Sequence, residues 1–286
     1  MVITMKRIAA IILTLALMLL ISCGETYIEA EVPTGEIIYK TVEEKQLGLE
    51  ILMPTENKQR RNPAVLVLHG GGWVSGARED FTRDFKPLCD ALRAAGIAVI
   101  PVTYRLAVNG TGWRDCLDDC EDALSYIIDN SKRLGIDEQK LGIIGYSAGG
   151  QLALMTAVET RDQVKYCVSM SGPTFFSDKK ESIFYSESLN YYIKMIFPEN
   201  DQIEMYQASP IIRVNRNCKS DFLLISGTAD EVVKPSHAES FLRELESFGL
   251  TAELSEPEGL THSYTAWSNF DNLCEEIAGY VIENLK

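Results

Sequence analysis

The chain has 286 residues, 46% hydrophobic and 24% charged, the proportions of an ordinary globular protein, which argues against intrinsic disorder and fibrous repeats. Its 41 acidic and 27 basic residues give a formal charge of −14, which repels phosphates and disfavours a nucleic acid partner. Lys6 and Arg7 precede an apolar run from Ile8 to Ile21, broken only by Thr14. That pattern fits the charged and apolar regions of a secretory signal and is short of the ~20 residues a spanning helix needs. From Gly24 to Gly35 the composition is polar and acidic (Glu25, Glu29, Glu31, with Pro33), as in a short tether.

The domain then begins. Ile37 to Val42 and Leu47 to Met53 read as antiparallel strands. Apolar, β-branched runs next alternate with amphipathic stretches: strand Ala64 to Leu68, helix Asp80 to Ala95, strand Ile97 to Val102, helix Arg114 to Arg133, strand Leu141 to Gly145 and helix Ala148 to Thr160. Strands Val164 to Met170 and Phe222 to Ser226, helix His237 to Phe248, strand Thr251 to Leu254 and helix Ser268 to Asn284 complete the pattern. Continuous apolar strands separated by helices predict an α/β fold, a mostly parallel sheet covered by helices on both faces. The connection at 171–220 is rich in aromatics without a clean period and reads as a small cap insertion. The expected organisation is a signal peptide at 1–22, a tether at 23–35 and one domain at 36–286.

The chemistry concentrates at a few positions. Gly145-Tyr146-Ser147-Ala148-Gly149 is a G-x-S-x-G between an apolar strand and an Ala/Leu-rich helix. So tight a strand-to-helix turn needs glycines where the backbone crowds itself, and it would expose the Ser147 hydroxyl beside the Ala148 N–H and a helix N-terminus. His69-Gly70-Gly71-Gly72-Trp73 follows strand Ala64 to Leu68, and Gly71 and Gly72 are natural backbone donors to an oxyanion, with Ala148 as a third. His69 reads as a brace for that loop, Trp73 as a pocket wall or a packing residue, and Tyr146 as a wall of a substrate pocket.

The chain has three histidines. Ser236-His-Ala-Glu239 resembles a capping box that opens a helix and occupies His237 locally. His262 lies in a loop after the last strand, where loops of a parallel sheet meet, and is the expected base. After strand Phe222 to Ser226 come Asp230 and Glu231, of which Asp230 is preferred as the acid that orients His262. Cys89, Cys116, Cys120, Cys167, Cys218 and Cys274 show no zinc-like spacing, so no metal is expected, and they could be thiols or disulfides.

Two resemblances follow from these motifs. Leu20-Ile21-Ser22-Cys23 resembles the bacterial lipoprotein signal, which implies cleavage before Cys23, lipidation of Cys23 and a membrane-anchored, exported location in the cell envelope. From about residue 36 onward the chain resembles the α/β-hydrolases. His69-Gly-Gly-Gly-Trp73 with Gly145-Tyr-Ser-Ala-Gly-Gly150 is similar to hormone-sensitive-lipase-like carboxylesterases and bacterial acetylxylan or feruloyl esterases. Tyr146 and Ser226 depart from those relatives, which more often carry histidine there.

The resemblance implies a nucleophile at Ser147, an acid at Asp230, a base at His262, oxyanion donors at Gly71, Gly72 and Ala148, and no cofactor. It implies a serine carboxylesterase for short-acyl esters, acetyl esters of oligosaccharides first among them. A serine peptidase or an amide hydrolase on the same fold is the alternative. Peptidases of the prolyl-oligopeptidase type carry a propeller, for which the chain ahead of the first strand leaves no room. A non-catalytic, lipid-anchored binding protein is a second alternative, disfavoured because no triad member is missing.

Overall fold

The computed structural model describes residues 33–56, 59–199, 201–270 and 272–285. The expected signal segment, Cys23 and most of the acidic tether lie outside the described residues.

Strands β1 (Ile37–Val42) and β2 (Lys45–Leu49) form a hairpin closed at Glu43, whose φ is 54°. The second strand begins and ends earlier than the expected Leu47 to Met53, because the chain leaves the hairpin after Leu49 for the edge of the main sheet. There Leu49 and Leu52 bridge antiparallel to Val102 and Val99, and the Leu52 N–H donates to the Val99 carbonyl at 2.9 Å.

The main sheet is parallel, in the order β4 (Ala98–Pro101), β3 (Asn62–Leu68), β5 (Ile136–Tyr146), β6 (Tyr166–Met170), β7 (Asp221–Ile225), β8 (Ala252–Ser255). Parallel neighbours need crossovers, and helices supply them. These are α1 (Arg78–Asp84) and α2 (Lys86–Ala94), α3 (Trp113–Asp129) and α4 (Ser131–Leu134), α5 (Ala148–Glu159), and α9 (Ser236–Ser247). Alternate β3 side chains enter two cores. Ala64, Leu66 and Leu68 join residues of α3, α5 and α9, while Val65 and Val67 join Phe81, Phe85, Leu92 and the C-terminal helix. Burial on both faces is why the strands read as unbroken apolar runs.

β3 touches both β4 and β5, so the winding direction reverses there and the loops after β3 and β5 lie side by side at the carboxyl edge. The loops after β6, β7 and β8 reach the same edge.

Several boundaries differ from expectation for identifiable reasons. The helix expected over Asp80 to Ala95 breaks at Phe85 (φ −112°, ψ 34°). Pro87 lacks the N–H that a continuous helix would give to Arg83, so the second helix starts afresh with proline in its first turn. Helix Arg114 to Arg133 similarly divides at Asn130. β5 begins at Ile136, paired with Asn62, rather than at Leu141, because the polar run Asp137 to Lys140 hides its start. The last helix is two, α10 (Tyr264–Asn269) and α11 (Leu273–Leu285). The expected capping box at Ser236 does not form. Pro235 is the N-cap of α9, and the Ser236 hydroxyl is drawn instead to the Ile183 carbonyl at 2.8 Å.

The 171–220 connection carries three helices, α6 (Glu187–Ile196), α7 (Gln202–Gln207) and α8 (Pro210–Arg213). Ser186 caps α6 by accepting from the Leu189 N–H at 3.0 Å, and Asp201 caps α7 through the Ile203 and Glu204 N–H groups. Leu189, Ile193, Ile196 and Phe197 bury into the core that surrounds α5, which seats the cap on the body.

Candidate active site

The site is assembled from strand ends. β5 runs into Ser147, whose φ of 54° and ψ of −117° are strained for a residue with a Cβ, and α5 starts at once. The glycines of G-x-S-x-G have a steric reason. A Cβ at 145 would stand 2.0 Å from the Gly149 carbonyl oxygen, and one at 149 would stand 2.3 Å from that of Leu68. The nucleophile turn therefore rests directly on the backbone that opens the glycine loop after β3.

Ser147, His262 and Asp230, three loops apart in sequence, lie in one line. The Ser147 hydroxyl donates to His262 Nε2 at 2.9 Å, and His262 Nδ1–H donates to Asp230 Oδ2 at 2.7 Å. The Asp230 carboxylate is wholly buried and also accepts from the Ser171 hydroxyl at 2.7 Å and the Val232 and Val233 N–H groups at 2.9 and 2.8 Å. Its Oδ1 is thus held by backbone and its Oδ2 by two side chains, which fixes the face offered to His262. The neighbouring Glu231 is exposed. On the other side of the imidazole, the Tyr146 hydroxyl donates to the His262 carbonyl, and the two rings pack 5.4 Å apart.

The loop after β3 turns sharply, with φ of 116°, 59° and 64° at Gly71, Gly72 and Trp73. The Val74 and Ser75 N–H groups fold back onto the Gly71 carbonyl. The N–H groups of Gly71, Gly72 and Ala148 find no hydrogen-bond partner among the described residues. Unspent backbone donors of this kind can receive a developing negative charge.

His69 is buried, stacked on Tyr104 at 4.3 Å, and donates from Nδ1 to the Gly70 carbonyl at 2.7 Å; burial lowers its pKa. His237 is buried too, and both of its nitrogens are engaged. Nδ1 accepts from the Thr174 N–H at 3.1 Å and Nε2–H donates to the Phe184 carbonyl at 3.1 Å, with burial pushing its pKa down to about 4.

Trp73, expected as a pocket wall or a packing residue, and Tyr146, expected as a pocket wall, are each only 2% exposed. Trp73 donates from its indole to Gln151 Oε1 at 2.9 Å, and Gln151 passes the connection to the Ala208 carbonyl, so Trp73 ties the glycine loop to α5 and the cap. Sequence reasoning missed Ser171. Its one signal is its place at the end of β6, the strand beside that of the serine, and its φ of 49° aims the hydroxyl at Asp230.

An open groove of about 820 Å³ runs beside the Asp230 loop, with Tyr185, Glu187, Thr228, Glu231, Lys234 and Glu239 among its lining. The six cysteines from Cys89 to Cys274 are all free thiols. Among the described residues no group of three or more His, Cys, Asp or Glu is arranged to hold a metal ion.

A parallel sheet wound in this order, with the serine at its reversal point, defines an enzyme of the α/β-hydrolase fold. The chain belongs to the BD-FAE family, whose model matches residues 49–245. It is 26% identical over 252 residues to an ethyl acetate hydrolase of Pseudomonas putida, covering 82% of this chain and 76% of that protein. Among solved structures, a truncated carbohydrate esterase from gut microbiota superposes with a TM-score of 0.75 at 19% identity, covering 90% of this chain and 98% of that one. Thermogutta terrifontis esterase 2, phosphonylated by sarin, superposes with a TM-score of 0.72 at 23% identity, covering 88% and 93%. The chain is an ester-hydrolysing enzyme.

Proposed function

We propose that this enzyme is a serine carboxylesterase for short-acyl esters, acetyl esters of carbohydrates in particular, acting through an acyl-enzyme on Ser147. The observation that carries the reading is the hydrogen-bonded line from Ser147 through His262 to the buried Asp230. As Ser147 Oγ attacks the ester carbonyl carbon, its proton passes to His262 Nε2, and Asp230 stabilises the imidazolium. The carbonyl oxygen becomes an oxyanion that accepts from Gly71, Gly72 and Ala148. When the tetrahedral intermediate collapses, the bond to the alcohol oxygen breaks and Nε2 gives that oxygen the proton. Water then repeats the sequence on the acyl-serine: it loses a proton to His262, attacks the acyl carbon and releases the carboxylic acid as Ser147 is reprotonated.

A carbohydrate alcohol is supported by the groove beside the Asp230 loop, whose carboxylates and lysine suit a hydroxyl-rich ligand. The signal-like segment and the sequence Leu20-Ile21-Ser22-Cys23 support an exported enzyme anchored in the cell envelope through lipid on Cys23.

The test is hydrolysis of p-nitrophenyl acetate through laurate by the purified full chain, beside Ser147→Ala and His262→Ala. Activity should fall beyond butyrate, and each variant should lose about 10⁶-fold in turnover. Activity surviving in Ser147→Ala overturns the assignment of the nucleophile, and a wild type inert on every ester overturns the function.

A further inference from the structure

The cap lays one side chain directly on the glycine loop. A Cβ at Gly72 would stand 2.2, 2.4 and 2.7 Å from Cδ1, Cε1 and Cγ of Tyr192, so that ring lies against the Gly72 backbone. Tyr192 sits on α6, which is anchored to the body of the fold. Leu189 and Ile193 bury one side of the helix, and the Ser186 hydroxyl that caps it also donates to the Val232 carbonyl at 2.6 Å, in the loop that holds Asp230. The ring is itself half-buried, at right angles to the exposed Tyr191. At the other end of the loop, the Tyr264 hydroxyl stands 2.7 Å from where a Cβ at Gly70 would be. Two tyrosines from different elements thus flank residues 70–72, and the one over Gly72 comes from the cap.

This placement has a stereochemical consequence, resting on the reading of Gly71 and Gly72 as oxyanion donors. In the tetrahedral intermediate the reacting carbon carries Ser147 Oγ, the oxyanion, the alcohol oxygen and the acyl chain. The alcohol oxygen must face His262 Nε2 to be protonated, and the oxyanion must face the glycine loop. One direction open to the acyl chain passes that loop, where the Tyr192 ring lies against Gly72. We propose that Tyr192 is a specificity-determining residue that limits the acyl chain to a few carbons. Its flat face accommodates a methyl group and blocks an extended alkyl chain.

The test uses the full chain with Tyr192→Ala, Tyr192→Leu and Tyr192→Phe, assayed on p-nitrophenyl acetate, butyrate and octanoate, with thermal unfolding as the control for folding. The readout is the ratio of kcat/KM for octanoate to that for acetate, which a merely structural weakening would leave alone. Tyr192→Ala should raise that ratio about tenfold or more, and Tyr192→Phe, which keeps the ring, should hold the wild-type ratio. If the alanine variant fails to fold, the smaller, non-aromatic Tyr192→Leu should shift the ratio in the same direction. A folded Tyr192→Ala or Tyr192→Leu with an unchanged ratio, or with all three esters slowed alike, overturns the proposal while leaving the esterase reading intact. A wild type inert on all three esters overturns that reading and this proposal with it.

Discussion

Replacing Asp230 by asparagine separates the orienting role of the carboxylate from its packing, because the shape is kept. The amide nitrogen must take the place of one oxygen. If it replaces Oδ1, it faces the N–H groups of Val232 and Val233, at 2.9 and 2.8 Å, donor against donor. Two buried backbone donors then go unpaired at about 1–3 kcal/mol each. If it replaces Oδ2, it faces the Ser171 hydroxyl, which can rotate to accept, and His262 Nδ1, which can move its proton to Nε2. The second arrangement wins by a few kcal/mol on these figures, and it leaves His262 protonated at the nitrogen that must take the Ser147 proton. Turnover on p-nitrophenyl acetate should therefore fall about 10⁴-fold, the size of effect the wrong tautomer produces in serine proteases, while the melting temperature moves little. A folded Asp230→Asn variant within tenfold of wild-type turnover would refute the reasoning.

Four further outcomes are expected. Gly149→Ala places a methyl group 2.3 Å from the Leu68 carbonyl oxygen, with backbone on both sides, and should lose activity and about 1–3 kcal/mol of stability. Gly279→Ala in α11, where a Cβ meets nothing within 4 Å, should stabilise by about 0.5–1 kcal/mol; denaturant unfolding of the pair checks both. His237, held near a pKa of about 4 in the fold against ~6.5 unfolded, binds its proton more readily in the unfolded chain. Its contribution is complete above pH ~6.5 and is lost as pH falls towards 4, a change of about 3 kcal/mol that should be smaller in His237→Gln when unfolding is measured at pH 7 and pH 4.5. An alkyne-tagged fatty acid supplied to bacteria expressing the full chain should label it, and Cys23→Ser should abolish the label; equal labelling would exclude Cys23 as the anchor.

What the sequence revealed and concealed follows the range of the interactions involved. The α/β alternation was readable because a strand buried on both faces must be apolar throughout, as at Ala64 to Leu68. The glycines at 145 and 149 were readable because a backbone collision leaves no other residue. Element ends were not, since they turn on single residues: Pro87 restarts a helix, and polar Asp137 to Lys140 lead into a strand. Tyr192 could not be found from pattern at all, and Ser171 only from its place at the end of a strand. Ser171 faces Asp230 across 59 positions and Tyr192 lies on Gly72 from a cap with no clean period. Whether Trp73 and Tyr146 face substrate or core was not legible either, because a bulky aromatic next to a reactive glycine or serine looks the same in sequence in both cases.

The left-handed backbone of Ser147 sets activity against durability. A side chain held at φ 54° and ψ −117° costs on the order of 1–3 kcal/mol relative to a relaxed turn, and glycine adopts that region without the penalty. Ser147→Gly should then melt at a higher temperature than the wild type although it has no nucleophile. Selection for stability alone would erase this site, so the serine marks a position where the fold gives up robustness to keep a reactive group exposed.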